Sequence, residues 1–242
     1  MARMVSNPFS TRHTRPGSIL SRDPTGMPID VASLLDRFDA LGGSAAIVGP
    51  HGSGKSTLLM HLAAALTQRG ESVQRVRLHS WVDAPTVWMA IRRARPGDIV
   101  CIDSWECSGH LVGSLLRAGA RMTRRRLLVT SHRGVGFPEL VRCTTSPALL
   151  RTIVAGLPGH GFWFGKLVHQ ADIDQAFVNH GGNLRESLYE LYDRFEAAAS
   201  PFEDVRRDGP IDHAGHAGVH HEIHEFTDGF SSVGAPERNL GL

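Results

Sequence analysis

The stretch Gly-Pro-His-Gly-Ser-Gly-Lys-Ser-Thr at Gly49–Thr57 restricts this chain to few folds. Its glycines, Gly49, Gly52 and Gly54, let the backbone curl until its N–H groups point inward around an anion. Lys55 adds a mobile positive charge, and Ser56 adds a hydroxyl suited to a magnesium ion. A helix opening at Ser56 and Thr57 adds the favourable dipole of its N-terminus. Every fixed position of the pattern G-x-x-x-x-G-K-[ST] is met. The candidate phosphate-binding residues are therefore Gly49, Pro50, His51, Gly52, Ser53, Gly54, Lys55, Ser56 and Thr57. The flanks agree. Ala45–Val48 is a short apolar run suited to a buried strand. From Ser56 to Gln68, Leu58, Leu59, Leu62, Ala63 and Leu66 recur at helical spacing, and Gly70 marks a stop.

Lysine usage sharpens the reading. The chain has two lysines, Lys55 and Lys166, and takes the rest of its basic charge from arginine. A compact ammonium on a flexible stem sits between phosphates where a planar guanidinium does not.

The remaining sequence alternates strands and helices. Ile29–Leu41 has helical spacing and leads into the first strand. Ser72–Leu78 alternates as a strand, and Ala84–Arg93 reads as a helix. Asp98–Asp103 is an apolar run closed by a carboxylate, and His110–Ala120 reads as a helix. Leu127–Thr130 is a further strand, and Val141–Thr144 a fifth before a helix from Pro147 to Leu157. This order predicts a mostly parallel sheet with helices on both faces. From about Ala171 the pattern is helical, with Gly181 and Gly182 dividing two helices. The expected organisation is an extended arm over 1–28, an α/β core over 29–145 and a small helical lid over 146–199. A histidine-rich tail without apolar period, read as disordered, follows over 200–242.

Composition supports a globular protein, with 41% hydrophobic and 21% charged residues. A net charge of +2 does not by itself imply nucleic-acid binding. The three cysteines, Cys101, Cys107 and Cys143, match no zinc spacing and read as free thiols. No secretory signal or membrane-length apolar run is evident, so the expected location is the cytoplasm, without membrane association.

The run ending in Asp103 has the form of a Walker B strand, whose aspartate holds magnesium opposite Ser56. The position after it is Ser104, and the next carboxylate is Glu106. Glu106 orients water if the chain turns sharply there, or serves only as a solvated helix-start glutamate. Thr130 and Ser131 end the strand at the sheet edge where open α/β folds bind ligands. Arg133 follows, able to touch phosphate in cis or on a neighbouring subunit, or to stand as a loop polar residue.

With these residues in view, the chain resembles the AAA+ branch of the P-loop NTPases. The likeness rests on Gly49–Ser56 and Asp103, on Thr130 or Ser131 at the sensor 1 position, and on Gly181-Gly182-Asn183-Leu184-Arg185-Glu186-Ser187-Leu188. The last segment is similar to sensor 2, which implies that Arg185 stands over the triphosphate. The resemblance implies a three-layer P-loop NTPase fold with a small C-terminal helical lid, and ATP and Mg2+ as ligands. It implies ATP hydrolysis with Lys55, Thr130, Ser131 and Arg185 in catalytic roles and Ser56 and Asp103 on the metal; Glu106 is the residues' own candidate for the catalytic base, and an unknown protein partner is expected. Two departures stand against an oligomeric remodeller: no glutamate follows Asp103, and the lid is short with few helices. A small-molecule kinase and a nucleotide-gated adaptor without turnover are the alternatives.

Other features carry two readings each. Arg121, Arg124, Arg125 and Arg126 suit nucleic-acid phosphate or a solvated helix end. Arg12, Arg15 and Pro16 of the arm are placed near the nucleotide base. His213, His216, His220, His221 and His224 would share one helical face able to take a transition metal, but Gly215 and Gly218 interrupt it.

Overall fold

The computed structural model describes residues 6–200. The expectations for the first five residues and for the tail from 201 on, including His213, His216, His220, His221 and His224, lie outside the described residues.

A four-residue helix, α1 (Thr11–Thr14), precedes α2 (Val31–Ala40) and β1 (Ser44–Val48). Then come α3 (Lys55–Gln68), β2 (Val73–Arg77), α4 (Ala84–Arg93), β3 (Ile99–Asp103), α5 (His110–Met122), β4 (Arg126–Ser131) and β5 (Glu139–Arg142). The C-terminal part is helical: α6 (Pro147–Ala155), α7 (His160–Trp163), α8 (Gln170–Asn179) and α9 (Leu184–Ala199). Short 3-10 turns at Trp81–Asp83 and Trp105–Ser108 precede α4 and α5. The C-terminal region thus holds four helices among the described residues, more than its length suggested.

The five strands form one parallel sheet in the order β2-β3-β4-β1-β5. Strand alternation divides the sheet's side chains between two cores. Ala45, Ile47, Ile99, Cys101 and Leu128 face α2 and α3, while Ala46, Val48, Val100, Ile102 and Val129 face α4 and α5. Both sheet faces are covered, which is why the strands read as continuous apolar runs. The chain is therefore a three-layer α/β fold with an added helical unit.

That helical unit has its own core, built from α6, α8 and α9 around Trp163. Residue 9 of the arm belongs to this core. Phe9 is 1% exposed, with its ring edge-on to Trp163 at 5.1 Å and to Phe195 at 6.2 Å. Asn7 Nδ2 donates to Tyr192 O at 3.1 Å and to Glu196 Oε1 at 2.7 Å, fixing the arm along α9. The segment expected as an extended arm is thus anchored at Asn7 and Phe9, because a lone aromatic finds apolar partners in the lid. Among the described residues, no helix is long and apolar enough to cross a membrane.

The order of strands sets the site. β4 lies between β1 and β3. Its carboxyl end therefore falls between the glycine loop that follows β1 and the carboxylate that ends β3.

Candidate functional site

The loop between β1 and α3 is tightly seated. Gly52 and Gly54 take left-handed backbone conformations, with φ of 68° and 87°. Those angles disfavour any residue with a Cβ. Gly49 is needed for a different reason, since a Cβ there would overlap Cys143 O and press on Ser53 Oγ. Ser53 Oγ donates to Pro50 O at 2.9 Å, which closes the loop on itself. Lys55 opens α3 and is 8% exposed. Its ammonium donates to Pro50 O at 2.6 Å. Burial holds its pKa below the ordinary lysine value, with Arg185 adding to the shift and Glu106 and Asp103 opposing it. A buried ammonium whose main partner is a carbonyl is suited to an anion arriving in the loop.

Ser56 meets Asp103 as its spacing implied. Ser56 Oγ lies 3.0 Å from both carboxylate oxygens of Asp103. Thr130 Oγ1 donates to Asp103 Oδ1 at 2.6 Å and accepts from Ser104 N at 2.8 Å. Arg77, in register with Asp103 on β2, brings Nε to 3.8 Å from Oδ2. Asp103 is thereby held by groups from three neighbouring elements.

Glu106 reaches the site because the chain turns sharply after β3. Ser104 adopts φ 63° and ψ 49°, a left-handed conformation uncommon outside glycine. The turn brings Glu106 Oε1 to 2.8 Å from His132 Nε2, while Oε2 is buried without a hydrogen-bond partner among the described residues. His132 Nδ1 stands 3.3 Å from Lys55 Nζ, and its ring lies 3.4 Å from that of His51. Burial and then Lys55 lower the His132 pKa. A neutral ring protonated on Nε2 satisfies both neighbours: Lys55 donates to Nδ1 and Nε2–H donates to Glu106.

Thr130 and Ser131 are both buried, at 1% and 0% exposure. Thr130 is directed at Asp103, and Ser131 Oγ accepts from Arg133 N at 3.4 Å. At the tip of β4 the residue that touches Lys55 is His132 rather than either of these. His132 carried no motif signal. Arg133 is exposed and does not line the cavity described next.

A cavity of about 380 Å³ opens beside the loop. Gly52–Leu58 form one wall, with Arg77 and Cys143. The arm supplies Thr11, Thr14, Arg15, Pro16, Ile19 and Leu20, and the lid supplies Leu149, Ile153, Leu184, Arg185, Leu188 and Tyr189. Arg15 and Pro16 of the arm line it, whereas Arg12 does not. Its size and its mix of apolar walls with one polar end suit a small organic anion. Arg185 sits at the first turn of α9, and its guanidinium has no hydrogen-bond or ion-pair partner among the described residues. Arg151 is engaged elsewhere, bidentate to Asp174 at 2.7 and 2.8 Å.

The donor set fits a magnesium ion. One carboxylate and one hydroxyl converge beside a phosphate-shaped loop, and magnesium takes few protein oxygens and leaves places for phosphate and water. Among the described residues, no three His, Cys, Asp or Glu side chains cluster as a protein-only metal cage.

No protein-family model matches the chain, and no curated protein matches it. Solved structures do. The replication initiator DnaA bound to AMPPCP and single-stranded DNA is similar at 14% identity over 73% of this chain, with a TM-score of 0.47. This chain spans 63% of the length of that one. C. elegans PCH-2 is similar at 14% identity over 70% of this chain and 67% of its own, with a TM-score of 0.40.

Proposed function

We propose that this chain binds Mg-ATP and hydrolyses it to ADP and phosphate as a nucleotide-driven switch of the AAA+-like kind, acting in the cytoplasm. The observation that carries the reading is that Lys55 and Ser56 line a cavity walled by loop, arm and lid, with Asp103 behind them, 3.0 Å from Ser56 Oγ. The amides of the Gly49–Thr57 loop receive the phosphates, and Lys55 leaves Pro50 O for them. Ser56 and Asp103 hold the magnesium ion, which when bound neutralises phosphate charge. Arg185 closes over the triphosphate from α9. Glu106 orients the attacking water through its unpartnered Oε2, and His132 fixes the other oxygen. Positioning and fixed charge supply most of the rate enhancement in such chemistry.

One observation favours a second reading. Glu106 is tied to His132 at 2.8 Å, so an adaptor that binds ATP with negligible turnover fits the same geometry. A small-molecule kinase is less favoured because Arg151 is committed to Asp174.

The test is nucleotide binding followed by turnover without an acceptor. Mg-ATP at a hundredfold excess over Kd is expected to stabilise the protein by about 2.7 kcal/mol. Lys55→Ala is expected to lose that shift. Acceptor-free phosphate release supports hydrolysis, and binding without release supports the adaptor. Absence of any shift with ATP or GTP, in parent and Lys55→Ala alike, overturns the reading.

A further inference from the structure

α4 and α5 pack on the sheet with Val87, Ile91, Leu116 and Ala120, yet their outer faces are also apolar. On α5, Leu111, Leu115 and Met122 are 84%, 72% and 85% exposed. With Ala118 they recur at i, i+4, i+7 and i+11, a single stripe along one side of the helix. Trp88 of α4 leans across α5 at Gly119, where a Cβ would stand 2.7 Å from the indole ring. The indole therefore forms an aromatic wall beside the stripe. Scattered apolar residues on a surface are ordinary, but a continuous helical stripe with an aromatic wall marks a contact site.

The charge is equally one-sided. Neither α4 nor α5 contains Asp or Glu. Both helices cross over between parallel strands, so they run in the same sense and bring their carboxyl ends together. Arg92, Arg93, Arg121 and Arg124 are exposed at that common end. None of these four guanidinium groups has a hydrogen-bonded or ion-paired partner among the described residues. By contrast, the neighbouring Arg125 donates to Ala94 O and Arg126 pairs with Asp39 and Glu71. The basic run thus divides into two structural arginines and two available ones.

We infer that this face docks an amphipathic helix of another protein, with its apolar side along Leu111, Leu115 and Met122 and an acidic end against Arg92, Arg93, Arg121 and Arg124. Three features select that occupant. The stripe has the spacing by which helices pack side by side, and α5 is about 20 Å long, enough for several turns of contact. Guanidinium forks bind carboxylates bidentately, and Trp, Met and Arg are the residues enriched at protein interfaces. The charge gathers at one end rather than around the apolar centre, which gives the site a direction that a bilayer surface does not require. Single-stranded nucleic acid is disfavoured because the stripe itself is Leu and Met, and Trp88 is the one aromatic beside it where successive bases need successive platforms. The inference does not depend on the nucleotide reading.

A photo-crosslinking residue replaces Leu115 in the full chain, expressed in cells of its source organism, and a second protein carries it at Val178 as an exposed control on α8. Cross-linked peptides are sequenced by mass spectrometry. The expected adduct at Leu115 is a segment of another protein with apolar residues at i, i+4 spacing and an acidic end, absent at Val178. Arg121→Glu with Arg124→Glu is expected to reduce its yield at least tenfold at an unchanged melting temperature. Adducts only with lipid, with nucleic acid, with a second copy or with residues 201–242 of this chain overturn the inference, as does no adduct at all. If the double variant unfolds, the identity of the Leu115 adduct decides alone.

Discussion

Gly52 and Asn183 touch across the boundary between the glycine loop and the lid: a Cβ on Gly52 would overlap the Asn183 carboxamide oxygen. That same oxygen caps α9, accepting from Arg185 N at 3.1 Å and Glu186 N at 3.4 Å. The residue that lets the loop curl is thus also the one that lets the lid helix begin beside it. Loop shape and the position of Arg185 are mechanically joined.

This contact separates two glycines that a motif treats alike. Gly54 also has a left-handed φ, but a Cβ there meets nothing within 4 Å. Gly54→Ala is expected to cost only the backbone strain, about 1–2 kcal/mol. Gly52→Ala adds the loss of the α9 cap, about 1 kcal/mol more. Urea unfolding of the nucleotide-free proteins measures both. In the Gly52→Ala background, Asn183→Ala is expected to cost less than it does alone, because the two changes remove one shared contact. Additive costs would mean that the loop and the cap are independent.

Phe9 is the arm's anchor, and its removal tests whether the arm belongs to the folded unit. Phe9→Ala leaves a void against Trp163 and Phe195 and is expected to cost about 3–5 kcal/mol. The arm also supplies one side of the cavity. Nucleotide affinity is therefore expected to fall with the anchor, and protease cleavage before residue 28 to accelerate. Parent-like melting in Phe9→Ala would show that the arm's packing contributes nothing.

Much of this was readable from local pattern. The glycine loop, the apolar strands β1, β3 and β4 and α4 at Ala84–Arg93 follow from spacing along the chain, whereas the fifth strand, expected at Val141–Thr144, is Glu139–Arg142. Asp103 against Ser56 was legible because both follow from the end of a strand and the start of a helix. What was not legible depends on groups distant in sequence. Phe9 sits in a Pro-, Arg- and Ser-rich stretch with no apolar period, so nothing local announces its burial. The pleat of β4 points Thr130 at Asp103 and leaves the next contact with Lys55 to His132, a residue outside any pattern. The turn that returns Glu106 rests on a left-handed Ser104, which side-chain type does not signal.

His132 gives a pH signature. Its pKa in the folded protein lies below the ordinary 6.5, chiefly through burial and then through Lys55. Below that ordinary value the unfolded chain takes up a proton more readily than the folded one. Stability therefore rises with pH through this range. The contribution is complete above 6.5 and is lost as pH falls toward the depressed folded value. His132→Asn cannot titrate and is expected to flatten the dependence. Urea midpoints at about pH 5 and about pH 7.5 for parent and variant provide the comparison. Equal slopes would remove His132 as the source. In the reaction, Glu106→Gln is expected to reduce phosphate release strongly while sparing ATP binding.

Asp103 depends on Thr130 for its orientation, and Ser131 supplies the control. Thr130→Val removes a donor to Asp103 Oδ1 and the acceptor for Ser104 N, leaving two polar groups short of a partner. A cost of about 1–3 kcal/mol is expected for such a loss in a buried site. The freed carboxylate is then no longer held toward Ser56. The magnesium needed for half-maximal ATP binding is expected to rise, while binding of ATP without magnesium is unchanged. Ser131→Ala removes a hydroxyl that accepts a long bond from Arg133 N at 3.4 Å and does not touch Asp103, and is expected to leave the magnesium dependence where it was. Magnesium titrations of ATP binding in the two variants decide the matter. The same shift in both would place the control of Asp103 in general packing at the tip of β4 rather than in the Thr130 hydroxyl.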